Sequence, residues 1–411
     1  MGISLKNSNY AACTIVSKNY FAYARTLYAS FILHNPDAKF FVLLVDENND
    51  DIALSQEPFE VIEAFSLNIP GFKQAAFKFD IMELNTNVKP SFLKYLLHDR
   101  GVAKLIYLDP DILLYNELSE VYSQLSTFNI VITPHCISPI NDNYRPAEQD
   151  FLLSGVYNLG FIGISNSQES YRFLDWWEQR CLKLGFAEPR MGLFVDQKWI
   201  NFAPCFFEGV SILKHPGYNM AYWNLHERAI ENKNGQWIVN GEYPLVFYHF
   251  SGIACDDQQQ ISRHQDRFDL TNRPDLIDIF KEYRALLKNH GIDKFRQYAY
   301  AYATFSNSEY ITHIARRLYS VNESSFHGLD PFTVDGEVYQ WCKKEGFFGT
   351  IDQSGKFNSR TYSSDDLRIR TIHFVLRMLF KILGSNKYTM LMKYLSYIAV
   401  LRNQKLVFNI K

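Results

Sequence analysis

Several features that would assign this chain quickly are missing. Its six cysteines, Cys13, Cys136, Cys181, Cys205, Cys255 and Cys342, form no C-x-x-C pair and no cysteine/histidine cluster at zinc-ligand spacing. A structural zinc site is therefore not indicated, and a reducing compartment is the plain reading. No uncharged apolar run reaches the length that crosses a bilayer. The first residues, Met-Gly-Ile-Ser-Leu-Lys-Asn-Ser, lack the charged and then apolar order of a secretory signal, so the expected location is the cytoplasm. Net charge is only −2 over 411 residues, which leaves no global basic field to recruit nucleic acid. Internal repeats and glycine-rich phosphate loops are absent as well.

What is present is apolar and aromatic. Hydrophobic residues make up 47% of the chain, with 33 Phe and 26 Tyr, enough for one large domain and a smaller appendage. Charge is unevenly placed. After Asp366 no acidic residue follows, yet Arg368, Arg370, Arg377, Lys381, Lys387, Lys393, Arg402, Lys405 and Lys411 all do.

From residue 11 to about 165, short β-rich runs alternate with amphipathic stretches, which predicts an α/β domain with a largely parallel sheet. Expected strands are Ala11 to Ser17, Lys39 to Val45, Phe59 to Ile62, Ala103 to Leu108, Asn129 to Thr133 and Tyr157 to Ile164, with a last one near Leu245 to Phe250. Helices are expected over Tyr20 to Leu33, Gly71 to Leu84, Ser91 to His98 and Glu117 to Leu125. The polar, proline-containing loop 134–150 is long enough to act as a flap. The expected organisation is a catalytic domain over 1–254, a linker or surface loop over 255–275, and a smaller all-α region over 276–411 with a basic tail.

The sharpest chemical signal is Lys104-Leu-Ile-Tyr-Leu-Asp109-Pro-Asp111-Ile-Leu-Leu, an apolar strand running into two carboxylates and back into apolar sequence. In open α/β sheets, ligands collect beyond the carboxyl ends of strands. Two adjacent carboxylates repel each other and lose solvation, a cost that a divalent cation removes. Hard oxygen ligands suit Mg2+ or Mn2+. A simple strand-ending turn accounts for the same residue types.

Four further segments follow in order: Tyr157-Asn158-Leu-Gly160, Asp196-Gln197-Lys-Trp-Ile-Asn201, Pro216-Gly-Tyr218-Asn219 and Tyr248-His249-Phe-Ser-Gly252. With the paired aspartates, they make residues 10 to 253 resemble the family 8 glycosyltransferases of the GT-A fold. The resemblance implies a retaining, metal-dependent transferase that moves a sugar from a nucleoside diphosphate, with a UDP-sugar favoured, to a glycan or lipid-linked acceptor in surface glycan or polysaccharide synthesis. It implies Asp109, Asp111 and His249 as ligands of Mn2+ or Mg2+, and Asn158, Asp196 and Gln197 at the sugar. An ordinary core histidine, a turn asparagine and a helix-capping aspartate are the plainer readings of His249, Asn158 and Asp196.

Ser17, Asn19 and Tyr20 fall where the family contacts base and ribose, although the acidic residues usual there are replaced by Ser17 and Lys18. Lys94 falls near the family's donor-facing basic residue. Gly252 completes the His-x-x-Gly pattern, but the Lys-Pro-Trp that commonly follows is absent, which leaves Lys198, Lys214 or Arg263 to meet the diphosphate. The aromatic group Tyr218, Tyr222 and Trp223, with His226, suits an acceptor platform or core packing equally. Two rivals stay open: a catalytically silent nucleotide-sugar-binding scaffold, and a nucleotidyltransferase, which typically carries a Gly-x-Gly-x-Arg loop not found here. The basic C-terminal segment, interleaved with apolar residues, fits either amphipathic helices lying on an anionic membrane from its inner face or a helical bundle with a solvated basic side.

Overall fold

The computed structural model describes residues 9–49, 51–326, 330–350 and 366–410. The chain divides into two compact units, one formed by residues 1–72 and 81–301, the other by 73–80 and 302–411.

The first unit is built on strands β1 (Tyr10–Val16), β2 (Lys39–Leu44), β3 (Glu60–Glu63), β4 (Lys104–Leu108), β5 (Ile112–Leu114), β6 (Ile130–Pro134) and β7 (Tyr157–Ser165). Further along come β8 (Ala187–Glu188), β9 (Leu193–Phe194), β10 (Val210–Ile212), β11 (Ile230–Lys233), β12 (Gln236–Val239), β13 (Tyr243–Pro244) and β14 (Phe247–His249). The main sheet has seven strands in the order β10-β6-β7-β4-β1-β2-β3. Within it β7 runs antiparallel to both neighbours and all other pairings are parallel. The sheet is thus mixed and mostly parallel, as the alternating sequence pattern predicts. Its inner strands are mostly apolar and buried, because helices such as α1 (Phe21–His34) cover them, while the edge strands β3 and β10 stay partly exposed.

Two pairings position the chemistry. The antiparallel pairing of β4 with β7 sets Leu108 opposite Phe161, and the Asp109 amide then donates to the Gly160 carbonyl at 2.7 Å. Beyond the aspartates, β5 pairs antiparallel with β14 and sets Ile112 opposite His249. The Phe250 amide donates to the Asp111 carbonyl at 2.8 Å. The three-residue β5 is not foreseen in the sequence; a run so short gains its strand identity from its partner 135 residues later.

The expected single helix over 71 to 84 is two, α2 (Phe72–Lys78) and α3 (Ile81–Asn87), followed by α4 (Lys89–His98). The break has a cause. The Arg316 guanidinium collects the carbonyls of Ala76, Phe77 and Phe79 at 3.1, 2.7 and 3.1 Å, satisfying the end of α2 so that the helix stops there. Phe77 is buried with Phe305, Leu318 and Tyr319 in the second unit's core.

The expected boundaries at 254 and 276 are corrected. Leu276, Ile279, Phe280, Tyr283 and Leu287 join the same core as the sheet, so the helix Ile277–Asn289 belongs to the first unit. Residues 255–275, expected as a linker or surface loop, are tied to the first unit. Arg273 donates to the carbonyls of Leu225 and Arg228 at 2.9 and 2.8 Å, and Arg267 holds Asp142 through two nitrogens at 2.7 and 2.9 Å. The same Arg267 pairing ties down the expected flap over 134–150, as does Glu227, which accepts from the amides of Ile137 and Ser138. Its geometry is that of an anchored loop.

The second unit is helical, as expected of the C-terminal region, with His313–Asn322 and Glu337–Glu345 packed around Phe77, Ile311 and Cys342. A long helix, Leu367–Ile398, follows, and none of its residues is buried. No helix among the described residues is long and apolar enough to cross a membrane.

Candidate active site

Asp109, Asp111 and His249 meet at the ends of β4 and β14, each offering one ligand atom with all three atoms within 4.8 Å of one another. The His249 Nε2 lies 3.0 Å from an Asp111 oxygen and 3.8 Å from an Asp109 oxygen. The other Asp109 oxygen accepts from the Tyr107 hydroxyl at 2.6 Å. Burial of the imidazole opposes its charge, but Asp111 and then Asp109 outweigh that and lift its pKa above the ordinary range.

The tautomer of His249 follows from a chain of hydrogen bonds that begins at a backbone amide. Gly160 N–H can only donate, and it donates to Asn158 Oδ1 at 3.1 Å. That fixes the Asn158 amide, so Asn219 must donate to the same oxygen through Nδ2 at 3.0 Å, and it also donates to Thr133 Oγ1 at 2.8 Å. Asn219 Oδ1 is then the acceptor that faces His249 Nδ1 at 3.2 Å. His249 Nδ1 therefore donates to Asn219 Oδ1, and Nε2 is the nitrogen turned to the carboxylates, where it can hold a proton or, once that proton is lost, a metal. At the far end Asn158 Nδ2 meets His135 Nε2 at 3.3 Å, and burial pushes His135 down to about 4, keeping it neutral.

Gly160 is required for another reason. A Cβ there would lie 2.3 Å from His249 Cε1 and 2.9 Å from Asn158 Oδ1. The close approach that a glycine permits at this position is that of the imidazole to the strand backbone. Trp223 also packs on His249, the two rings perpendicular with centroids 5.1 Å apart. The donor set suits a divalent cation: two carboxylates and one imidazole nitrogen turned toward one another, with the other ends of His249 and Asp109 held by Asn219 and Tyr107.

Asp109 and Asp111 open onto a cleft of about 340 Å³ that lies wholly within the first unit, whereas the buried His249 is not part of its lining. Ser17, Asn19, Tyr20, Tyr107, Asp109 and Asp111 line it, as do Asn85, Thr86 and Arg263. Of the three cations considered for a diphosphate, Arg263 alone is in this lining; the Lys198 ammonium donates to the Leu152 carbonyl instead. Arg263 arrives through Gly252, whose carbonyl accepts from the Arg263 amide at 3.0 Å. Gly252 has φ +72°, and a Cβ on it would come within 2.3 Å of the His264 ring, so the His-x-x-Gly turn works by docking the 262–264 segment. Tyr20 stands between the charges: burial raises its pKa, Asp111 adds to that, and Arg263 opposes it.

Asn85 was not foreseen. Its Nδ2 donates to the Ile81 carbonyl at 2.6 Å and to Ser17 Oγ at 2.7 Å, which leaves Oδ1 as an acceptor. That oxygen and Oδ1 of Asn19 are buried without a partner among the described residues. Asn85 could not be found by pattern, because its partner Ser17 is 68 residues away.

The cleft lining does not include Asn158, Asp196, Gln197, Gly252 or Lys94. Asp196 is 2% exposed and pairs with Lys89 at 2.7 Å, where Lys89 also donates to the Leu159 carbonyl at 2.8 Å and lies 4.1 Å from the centre of the Tyr107 ring. Burial pushes the Asp196 carboxyl up against the pull of Lys89. Asp196 does not cap the short helix that follows it, which has no side-chain cap. Gln197 accepts from the Leu159 amide at 3.1 Å and donates to the Ser154 carbonyl at 3.1 Å. The expected role of Lys94 is corrected, because its ammonium pairs with Asp175 at 3.2 Å and with Glu178 at 2.5 Å, away from the triad. Lys89 is the basic residue of α4 that reaches inward. Tyr218 is buried in the core, which removes it from any acceptor platform, and Trp223 serves His249.

No family model matches the chain. Two proteins of Bacillus subtilis, both described only as uncharacterized, are similar in sequence. YfnF is 26% identical over 282 residues, covering 67% of this chain and 91% of its own length. YfnD is 25% identical over 261 residues, covering 62% and 81%. The solved structures it resembles are glycosyltransferases. One is the galactosyltransferase LgtC in complex with donor and acceptor sugar analogues, at TM-score 0.44 and 14% identity over 67% of this chain and 95% of that one. Another is the glycosyltransferase GlyE of Streptococcus pneumoniae TIGR4, at TM-score 0.41 and 16% identity over 76% and 73%. With both scores below one half, the chain's own side chains carry the functional reading.

Proposed function

We propose that the chain is a metal-dependent glycosyltransferase of the GT-A type that takes a sugar from a nucleoside diphosphate and passes it, with retention, to a hydroxyl of a glycan or lipid-linked acceptor. The observation that carries this reading is the convergence of Asp109, Asp111 and His249 Nε2 beside a cleft that Asp109, Asp111 and Arg263 line. These three side chains would hold Mn2+ or Mg2+. When bound, such an ion neutralises charge that develops on a leaving diphosphate.

The remaining roles fall to the chain's own residues. Arg263 offers a planar, permanently charged fork to phosphate oxygens. The unpartnered acceptors of Asn19 and Asn85, with Ser17 between strand and helix, are suited to N–H and O–H donors of a base and ribose, and Tyr20 offers an aromatic face. Tyr107 fixes the rotamer of Asp109, while Lys89 and Asp196 form a buried pair behind it. Gln197 and Asn158, gripped by the start of β7, are rigid walls beneath the triad. Direct contact of Asn158, Asp196 or Gln197 with the transferred sugar requires a donor that reaches past the cleft into this layer. The expected setting is surface glycan or polysaccharide synthesis.

A donor screen with UDP-sugars and other nucleoside diphosphate sugars in the presence of Mn2+ tests the assignment. The predicted result is turnover of at least one donor that stops when the metal is chelated. Arg263→Ala should raise the donor KM by about 10- to 100-fold, the value of a charge-assisted phosphate contact. Arg263→Lys should recover only part of it, since an ammonium cannot present two parallel donors. Metal-dependent donor binding without turnover would favour the scaffold reading; an unchanged KM in Arg263→Ala would remove that residue from the donor site.

A further inference from the structure

We propose that the C-terminal helical segment is a docking surface for an anionic lipid bilayer. The helix Leu367–Ile398 is broken at Gly384, where φ is 71° and ψ is 168°, into two arms. Rings of Phe380 and Tyr388 meet edge-on across the break, 5.3 Å apart, so the arms fold toward each other. Two arms this rich in apolar residues would ordinarily be buried on at least one side. Here no residue is buried, and Leu367, Phe374, Ile382 and Met390 are 74%, 65%, 73% and 71% exposed. Beyond the break Tyr397 is 58% exposed, and past the helix Leu406 is 77% exposed. Large side chains this open to solvent, clustered on one element, mark an interaction site.

Charge selects the occupant. From Leu367 onward the chain carries no acidic residue, while Arg368, Arg370, Arg377, Lys381, Lys387, Lys393, Arg402 and Lys405 are spread among the apolar ones; Lys411 lies outside the described residues. Apart from Asp366, which pairs with Arg368 at 3.1 Å, a second copy of the same surface would set cations against cations with no carboxylate to relieve them, which argues against self-association. An anionic bilayer satisfies both halves of the pattern: its acyl boundary takes the apolar side chains, and its headgroups take the lysines and arginines. Neither arm can cross. Arg377 and Lys381 interrupt the first and Lys387 and Lys393 the second, and no helix among the described residues qualifies as a span. Two arms bent at Gly384 would rest in the interface plane, with Tyr388, Tyr394 and Tyr397 suited to headgroup depth. This surface does not depend on the transferase reading.

Co-sedimentation of the full chain with vesicles tests the proposal, comparing phosphatidylcholine alone with an equal mixture of phosphatidylcholine and phosphatidylglycerol at moderate and high salt. The expected result is binding to the mixed vesicles only, weakened by salt. Replacing Arg377, Lys381 and Lys387 together by Gln should lower the partition coefficient by about a hundredfold. Phe374→Ser with Ile382→Ser should also weaken it; both sets alter exposed positions, and circular dichroism of each variant checks that the fold is kept. No binding to either vesicle, or equal binding to both, would overturn the proposal. So would a concentration-dependent dimer abolished by Phe374→Ser, which would assign the surface to a second copy.

Discussion

Asp111→Ala is expected to reduce donor turnover by roughly a thousandfold, the scale of several kcal/mol that a bound cation contributes at a leaving diphosphate. The same substitution should leave the unfolding midpoint unchanged or raise it. Asp111 and Asp109 both face His249 Nε2, and a proton or metal held among the three offsets their repulsion. Removing one of them relieves that repulsion at a position where the side chain is 19% exposed. Activity and stability are thus predicted to move in different directions, which separates a lost ligand from a damaged fold. Turnover measured alongside thermal unfolding decides it, and a fall in both together would point to a structural role for Asp111.

Lys89→Met carries the largest expected effect on stability. Lys89 and Asp196 are 1% and 2% exposed, and each relies on the other for compensation. Breaking such a pair from one side leaves an uncompensated buried charge and costs about 3–5 kcal/mol. Denaturant unfolding should show that loss. The double variant Lys89→Met with Asp196→Leu should regain most of it, because replacing both charges by apolar groups removes the desolvation cost along with the attraction. Turnover should not return in the double variant, since the support behind Tyr107 and Asp109 is gone. If Lys89→Met unfolds like the parent protein, the pair is not the buried element described above.

How much of this was legible in the sequence differs from residue to residue. Asp109 and Asp111 announce themselves, because a strand and its terminal ligands are contiguous and need no partner to be seen. The first six strands of the main sheet in chain order lie within a residue or two of the expected runs, since the covered ones are apolar along most of their length. His249 was visible only by its spacing from Gly252. Its placement depends on the register of β14 against β5, which no local pattern encodes.

The second layer was largely hidden. Asn219 stood within a recognised segment without a role, and its function exists only through a chain of hydrogen bonds from Gly160, on a strand 59 positions earlier. Lys89 was passed over for Lys94. Five residues along a helix turn the side chain by about 140°, so choosing between them needs to know which face of α4 meets the sheet. The domain boundary failed for a related reason. Residues 276 to 301 read as helical and so were grouped with the helical C-terminal region, whereas burial of Phe280 and Tyr283 beside Phe250 assigns them to the sheet.

The most direct test of the central claim is a titration of the full chain with Mn2+, followed by electron paramagnetic resonance, with and without UDP. One ion per chain is predicted, bound more tightly when the nucleotide is present, with imidazole nitrogen coupling from His249 and with binding lost in Asp111→Ala and His249→Ala. Absence of a bound ion in the parent protein, or a signal that survives both substitutions, would contradict it.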